Sequence, residues 1–199
     1  MLLFKTSLFF LLLFPGAPPE SLKPHVLSYI EEYKYLAIDE MVRSGIPASV
    51  IMAQAIVESN GGTSLLARES NNHFGIKCKS YWVGDTYYHE DDDRDEKGKL
   101  IPSCFRQYDS VLASYQDHSD FLLQTPHYQA LFGYDKTDFE QWSRGLQLCG
   151  YASDPLYAEK LIRTIRTYGL EELDYYTVQY VDKSNLITDG GGTWMQVKK

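Results

Sequence analysis

The residues best equipped for chemistry are carboxylates in two unlike settings. Glu58 closes the apolar run Ile46-Pro47-Ala48-Ser49-Val50-Ile51-Met52-Ala53-Gln54-Ala55-Ile56-Val57, and Asn60-Gly61-Gly62 follows shortly after it. An ionised side chain at the end of a buried segment is costly unless it is paired, metal-bound or kept protonated. A carboxyl that stays protonated near neutral pH is what a general acid requires. A lone glutamate at a helix end is more often solvated and idle, so Glu58 gains weight from its company.

That company is the acidic run Glu90-Asp91-Asp92-Asp93-Arg94-Asp95-Glu96. Such runs are usually solvated, self-repelling loop tips. Opposite Glu58 across a cleft, one of these residues would complete the carboxyl pair that hydrolyses glycosidic bonds. One member protonates the leaving oxygen and the other handles water or the sugar cation. Asp91, Asp93 and Asp95 have EF-hand-like spacing. A calcium loop counted from Asp91 needs glycine and a final glutamate where this chain has Glu96 and Pro102, so calcium by that route is excluded.

Pro47 fits the first turn of the helix that must carry Glu58, and the two glycines after Asn60 fit its end. Its faces are apolar nearly all round, which predicts a helix buried in a core. Before it, Val26, Ile30, Tyr33, Ala37 and Met41 recur at steps of three and four, predicting a helix over His25 to Ser44. A third helical piece is expected over Ser64 to Glu69. Asn71 to Tyr108 has no helical period; Tyr81 to Tyr88 reads as strand, Lys97-Gly98-Lys99 as a hairpin turn and Leu100-Ile101 as the start of the return strand. Further helices are expected over Ser110 to Leu123, with Val111, Tyr115, His118 and Leu122 on one face, and over Thr137 to Leu148, with Asp138 in its first turn. A last helix opens at Asp154-Pro155 and runs to Tyr168 before Gly169. The order predicts an α+β domain with a cleft between a small β-hairpin lobe and the helices.

With 199 residues, one domain of ordinary size is expected, over residues 24–170. A net charge of −8 argues against nucleic acid and against attachment to an anionic membrane surface. Residues 1–17 resemble a secretory signal peptide: Lys5, the apolar run Leu8 to Phe14, then Pro15-Gly16-Ala17. That predicts a periplasmic or secreted protein with no stable membrane insertion after the signal is removed. In Glu171 to Lys199, Tyr175 to Val181 alternates like a strand and Gly190-Gly191-Gly192 interrupts; the role of this tail is left open. In an exported chain a bridge between Cys78 and Cys104 would staple the base of the β-lobe, with a chain-entropy contribution on the order of 3–4 kcal/mol. No cysteine or histidine spacing suggests zinc, and no cofactor is expected. Cys149 reads as a buried small residue. His73, His89 and His118 form no triad with a serine or cysteine.

The run Ala53-Gln54-Ala55-Ile56-Val57-Glu58-Ser59-Asn60-Gly61-Gly62-Thr63-Ser64 resembles the catalytic-helix motif of the bacterial glucosaminidase family, glycoside hydrolase family 73. Asn71-Asn72-His73-Phe74-Gly75-Ile76-Lys77, Trp82-Val83-Gly84, Phe105-Arg106-Gln107-Tyr108 and Gly150-Tyr151-Ala152-Ser153-Asp154-Pro155-Leu156-Tyr157-Ala158 match further motifs in the family's order. The resemblance implies a lysozyme-like fold, a peptidoglycan substrate and no metal. It implies an endo-β-N-acetylglucosaminidase cutting the β-1,4 link from N-acetylglucosamine to N-acetylmuramic acid. Glu58 falls on the family's general acid. The second carboxylate lies a short way past the Trp-x-Gly tryptophan, a window that falls on Glu90 to Asp93, with Asp92 favoured and Asp91 next. Tyr151 falls on an active-site tyrosine that would bond the acetamido group or the catalytic water.

Asn72, Lys77, Trp82, Tyr88 and Tyr157 are candidate substrate contacts. For Asn72 a turn-forming role weighs equally, and for Trp82, Tyr87 and Tyr88 so does strand packing. Phe74, Ile76, Phe105 and Tyr108 read as packing. Asn60-Gly61-Gly62 replaces the family's common Gly-Trp-Gly, which removes an aromatic wall beside Glu58. A monomer is expected. A muramidase or lytic transglycosylase acting on the same polymer, and a catalytically silent wall-binding or assembly protein, are the competing readings.

Overall fold

The structure is a computed structural model describing residues 22–179 and 196–198. The signal-like segment 1–17 and Gly190-Gly191-Gly192 lie outside the described residues.

Helix α1 (Pro24–Ser44) starts on its proline, as the missing N–H allows, and buries Val26, Tyr29, Ile30, Ala37, Ile38 and Met41 on one stripe. Glu40 is buried on the same stripe. It is neutralised by Arg43 at 2.7 Å, which also reaches Asp120 at 2.7 Å; a buried carboxylate needs such a partner.

Helix α2 (Ala48–Ser59) is the axis of the domain, with every residue from Ala48 to Ile56 buried. Burial of Val50, Ile51, Met52 and Ile56 contributes roughly 1.5–3 kcal/mol each. Its ends differ from the sequence expectation by one position. Pro47 is the residue before the helix, and Asn60 itself turns left-handed at φ 51° ahead of the glycines, a conformation asparagine tolerates. Gly61 and Gly62 are left-handed too, at φ 61° and 76°, and also serve a close approach. A Cβ on Gly61 would lie 3.0 Å from Val26 Cγ2, and one on Gly62 only 2.8 Å from the Tyr29 ring. Helix α3 (Leu65–Ser70) follows, capped by the Ser64 hydroxyl, which accepts from Ala67 N–H at 3.2 Å.

The β-lobe is an antiparallel hairpin of β1 (Thr86–Arg94) and β2 (Leu100–Arg106). Pairing runs from Thr86↔Arg106 to Glu90↔Pro102 and resumes at Arg94↔Leu100. Asp91, Asp92 and Asp93 thus oppose Ile101 alone, in a bulge. The acidic run is therefore mainly strand, not the loop tip its charge suggests. The hairpin turn falls at Asp95 to Lys99, closed by Asp95 N–H donating to Lys99 C=O at 2.9 Å.

The expected strand over Tyr81 to Tyr88 begins only at Thr86. Trp82 N–H turns back to Lys79 C=O at 2.9 Å, and its ring folds over Gly84, where a Cβ would lie 2.5 Å from it. Cys78 and Cys104 are bridged, with Cα atoms 5.3 Å apart, and Lys77 pairs with Phe105 in an isolated β-bridge beside them.

Helix α4 (Val111–Gln124), capped by Ser110, buries Tyr115, His118 and Leu122 as its periodicity predicts. A 3₁₀ turn at Pro126–Gly133, unforeseen from sequence, buries Tyr128 and Leu131. Helix α5 (Phe139–Leu148) has Asp138 as its cap, accepting from Gln141 N–H at 2.9 Å, and not in its first turn. Cys149 ends α5 half-buried, its thiol donating to His127 C=O at 3.1 Å, so it is not the enclosed residue expected.

Helix α6 (Tyr157–Tyr168) starts after the Asp154-Pro155 turn, not at it. A second 3₁₀ turn, Leu170–Tyr175, buries Leu170 and Leu173, so packing continues past residue 170. In the tail, β3 (Thr177–Gln179) pairs antiparallel with β4 (Gln196–Lys198). Helices around α2 with one hairpin lobe beside them make the α+β architecture expected. Among the described residues no helix is long and apolar enough to cross a membrane.

Candidate active site

One turn of α2 separates Gln54 from Glu58 and puts both on one face. Gln54 Nε2 donates to the Tyr157 hydroxyl at 3.1 Å, and that hydroxyl donates to Glu58 Oε1 at 2.8 Å. Tyr157 is buried at the start of α6, and burial pushes its hydroxyl well above the usual range, so it remains a donor. The Tyr151 ring stacks on Tyr157 at 5.6 Å and 17°. Behind them His118 is fully buried, stacked on Phe74 at 4.0 Å, and burial lowers its pKa to about 3. The imidazole is neutral and serves as packing.

Burial raises the Glu58 pKa to about 7; the Tyr157 hydrogen bond and the positive charge of Lys160 pull it down by less. The carboxyl therefore keeps its proton to much higher pH than a solvated glutamate does, the condition for a proton donor. Its other oxygen faces Gly75, where a Cβ would lie 3.9 Å from Oε2.

Glu58 opens into a groove of about 460 Å³, within the size range of small-ligand sites. Phe74, Gly75 and Ile76 line its base. Lys77, Lys79 and Tyr81 come from the β-lobe side, Phe121, Thr125, His127 and Tyr128 from the helical side, and Gly150, Tyr151 and Ala152 flank Glu58. Tyr81, Phe121 and Thr125 also line an adjoining depression with Trp82, Arg106 and Asp117, so the groove continues beyond Tyr81.

Lys77 links the groove to the acidic bulge, pairing with Asp91 Oδ2 at 2.9 Å and Asp93 Oδ1 at 3.0 Å. Two-residue alternation along β1 brings these carboxylates to the lysine and turns Tyr88 and Glu90 toward solvent. Asp92 lies on β1 between them; its side chain is outside the described set.

Of the candidates named from sequence, Glu58, Lys77 and Tyr151 meet in the groove. Tyr157 belongs to the site from behind, holding Glu58 while itself buried. Asn72 does not reach the groove. It is 1% exposed, its amide donates to Ile76 C=O at 3.0 Å and Arg106 C=O at 2.8 Å, and its oxygen accepts from Ile76 N–H at 3.1 Å. Its role is to clamp the loop beneath Lys77.

Trp82 sits on the continuation of the groove with the Arg106 guanidinium 4.6 Å over its ring. Arg106 in turn is held by Asp117 at 2.7 and 2.8 Å. Tyr88 is 65% exposed on the outer face of the hairpin. Phe105 and Tyr108 are buried as expected. Sequence reasoning missed Tyr81, Phe121, His127 and Tyr128, which lie outside its motifs or within the unforeseen 3₁₀ turn. Among the described residues no group of three or more His, Cys, Asp or Glu is placed to hold a metal ion.

A family model described as mannosyl-glycoprotein endo-beta-N-acetylglucosaminidase matches residues 34–170. Peptidoglycan hydrolase FlgJ of Escherichia coli K12 is 35% identical over 129 residues, covering 62% of this chain and 41% of FlgJ. Exo-glucosaminidase LytG of Bacillus subtilis is 30% identical over 161 residues, covering 78% of this chain and 52% of LytG. This chain thus spans about two fifths to one half of the length of these curated relatives. Among solved structures, a peptidoglycan hydrolase from Sphingomonas sp. A1 aligns with TM-score 0.61 at 31% identity, over 73% of this chain and 91% of that one. The glycoside hydrolase domain of Salmonella typhimurium FlgJ aligns with TM-score 0.59 at 30% identity, over 74% of this chain and 90% of that one.

Proposed function

The chain belongs to the mannosyl-glycoprotein endo-beta-N-acetylglucosaminidase family, and on that premise we propose that it hydrolyses peptidoglycan glycan strands between N-acetylglucosamine and N-acetylmuramic acid. The observation that carries this reading is the setting of Glu58. Its carboxyl is lifted to about 7 by burial, held by Tyr157 and turned into a groove. A glycosidic oxygen lying in that groove takes the proton as the bond breaks.

The second carboxylate comes from the bulge on β1. Asp91 and Asp93, ion-paired with Lys77, carry the opposite character to Glu58: anions held by an ammonium and open to solvent. An anion suits stabilising the sugar cation or activating water, whereas the half-buried acid suits donation. Asp92 between them remains the favoured residue from the sequence, with Asp91 next. Tyr151, on the groove wall, serves the acetamido group or the attacking water. The signal-like residues 1–17 and the Cys78–Cys104 bridge support action outside the cytoplasm, since disulfides persist in oxidising compartments.

The test is a digest of purified peptidoglycan with analysis of the new reducing ends, run beside Glu58→Gln. N-acetylglucosamine at those ends, lost with Glu58→Gln, is the expected result. Muramic acid ends would make the chain a muramidase and anhydro-muramic ends a transglycosylase. Binding without turnover would make it a silent wall-binding protein.

A further inference from the structure

A second groove, of about 340 Å³, runs between α2, α6 and the start of α1. Lys23, Lys160 and Arg163 line it with Asn60, Thr164 and Thr167, and among the described residues no acidic side chain does. On a protein of net charge −8 this is an inversion of the average surface. Lys160 pairs with Asp154. Arg163 is exposed, and among the described residues it forms no ion pair or side-chain hydrogen bond. An unengaged guanidinium offers a planar fork that matches a carboxylate.

Among the described residues none lines both this groove and the catalytic one, and what connects them is the end of α2 and the start of α6. Val57 and Asn60 on either side of Glu58 line this groove, and Lys160 is close enough to lower the Glu58 pKa. Along α6, Tyr157, Lys160, Thr164 and Thr167 recur at steps of three and four. They form one stripe that begins at the tyrosine holding Glu58 and leads away along the groove.

We propose that this basic groove binds the carboxylates of the peptide stems that branch from the muramic acid residues of the glycan, an assignment that rests on the peptidoglycan reading above. A stem leaves the sugar beside the scissile bond, and a stem of five residues reaches up to ~17 Å. It carries several free carboxylates and no compensating excess of cations, the charge complement of Lys23 and Arg163, with Lys160 shared with Asp154. Glycan in the Glu58 groove and stem in the basic groove together make the enzyme a reader of peptide-substituted strands.

Two measurements test the proposal. In the first, the protein is titrated calorimetrically with a synthetic stem tetrapeptide, and in parallel with inorganic phosphate. Saturable peptide binding is expected, weakened at least tenfold by Arg163→Glu and largely retained by Arg163→Lys. No binding, binding indifferent to Arg163→Glu, or equal binding of phosphate would overturn the assignment. In the second, kcat/KM is compared on intact strands and on strands stripped of their stems by an amidase. The intact-to-stripped ratio is expected to be several-fold above one and to fall toward one in Arg163→Glu, through KM. A ratio of one in the unmodified protein would overturn the proposal. A chain that binds the peptide yet cleaves neither polymer would refute the hydrolase reading and leave the peptide site standing.

Discussion

The carboxylate of Asp174 accepts hydrogen bonds from both the backbone N–H of Ser49, at 2.8 Å, and its hydroxyl, at 2.6 Å. Asp174 thereby caps α2, whose own preceding residue, Pro47, provides no side-chain cap. The helix that ends in Glu58 is thus anchored at its start by a residue 125 positions later. Losing such a cap costs about 1–2 kcal/mol. Asp174→Ala should lower unfolding stability by that order, and the loss should be strongly non-additive with Ser49→Ala in a urea double-mutant cycle. Additive losses would mean that the two residues act separately.

Glu58→Gln should lower the rate by ~10²–10⁴ while stabilising the fold at alkaline pH. The carboxyl pKa rises from 4.5 in the unfolded chain to about 7 in the folded one. Below the lower value both states are protonated and nothing is lost. Between the two the unfolded chain gives up its proton first, so stability falls with pH, by on the order of 3 kcal/mol at most once pH exceeds the folded value. Urea unfolding at pH 4 and pH 8 should show a smaller loss in Glu58→Gln than in the parent. An equal loss in both would place the raised pKa elsewhere.

Tyr157→Phe removes the hydrogen bond that lowers the Glu58 pKa. The alkaline limb of the kcat/KM profile should move to higher pH, and the rate should fall because the carboxyl loses its anchor. A profile that keeps its limb while only the rate drops would deny Tyr157 its hold on the proton.

Single changes of Asp91, Asp92 and Asp93 to Asn should reveal one position whose loss of activity far exceeds that of its neighbours. Lys77→Met should also impair turnover, because it frees Asp91 and Asp93 from their shared partner. A flat response across the bulge would return the acidic run to solvated surface.

Reducing the Cys78–Cys104 bridge releases a closed loop whose chain-entropy contribution is about 3.5 kcal/mol. Proteolysis should then cut between residues 79 and 103 while the helical core stays intact. Unchanged resistance would mean that β-pairing alone holds the lobe.

The helices were readable because their signals are local: Pro47 near a start, Gly169 at a stop and steps of three and four between; the serine caps of α3 and α4 were not read. Glu58 was readable as a charge at the end of an apolar run. What escaped depends on partners distant in sequence. Tyr157 lies 99 positions from Glu58, and nothing near either residue announces their hydrogen bond. Tyr81-Trp82 has strand composition, yet the Trp82 ring is diverted over Gly84 and under Arg106, so the strand waits until Thr86. The acidic run entered β1 because Lys77, outside the strand, offsets part of its repulsion. The 3₁₀ turn that supplies Tyr128 has neither length nor period to betray it.

The contact of Gly61 and Gly62 with α1 also limits what can be engineered beside Glu58. A tryptophan placed at residue 61 would meet α1 before anything else. Its first carbon would meet Val26 at 3.0 Å and His25 at 3.1 Å, on a backbone at φ +61°. A side chain there would have to shift Val26 and the exposed His25 ring by a few tenths of an ångström and hold a left-handed backbone, so trimming Val26 in the same step would ease the graft.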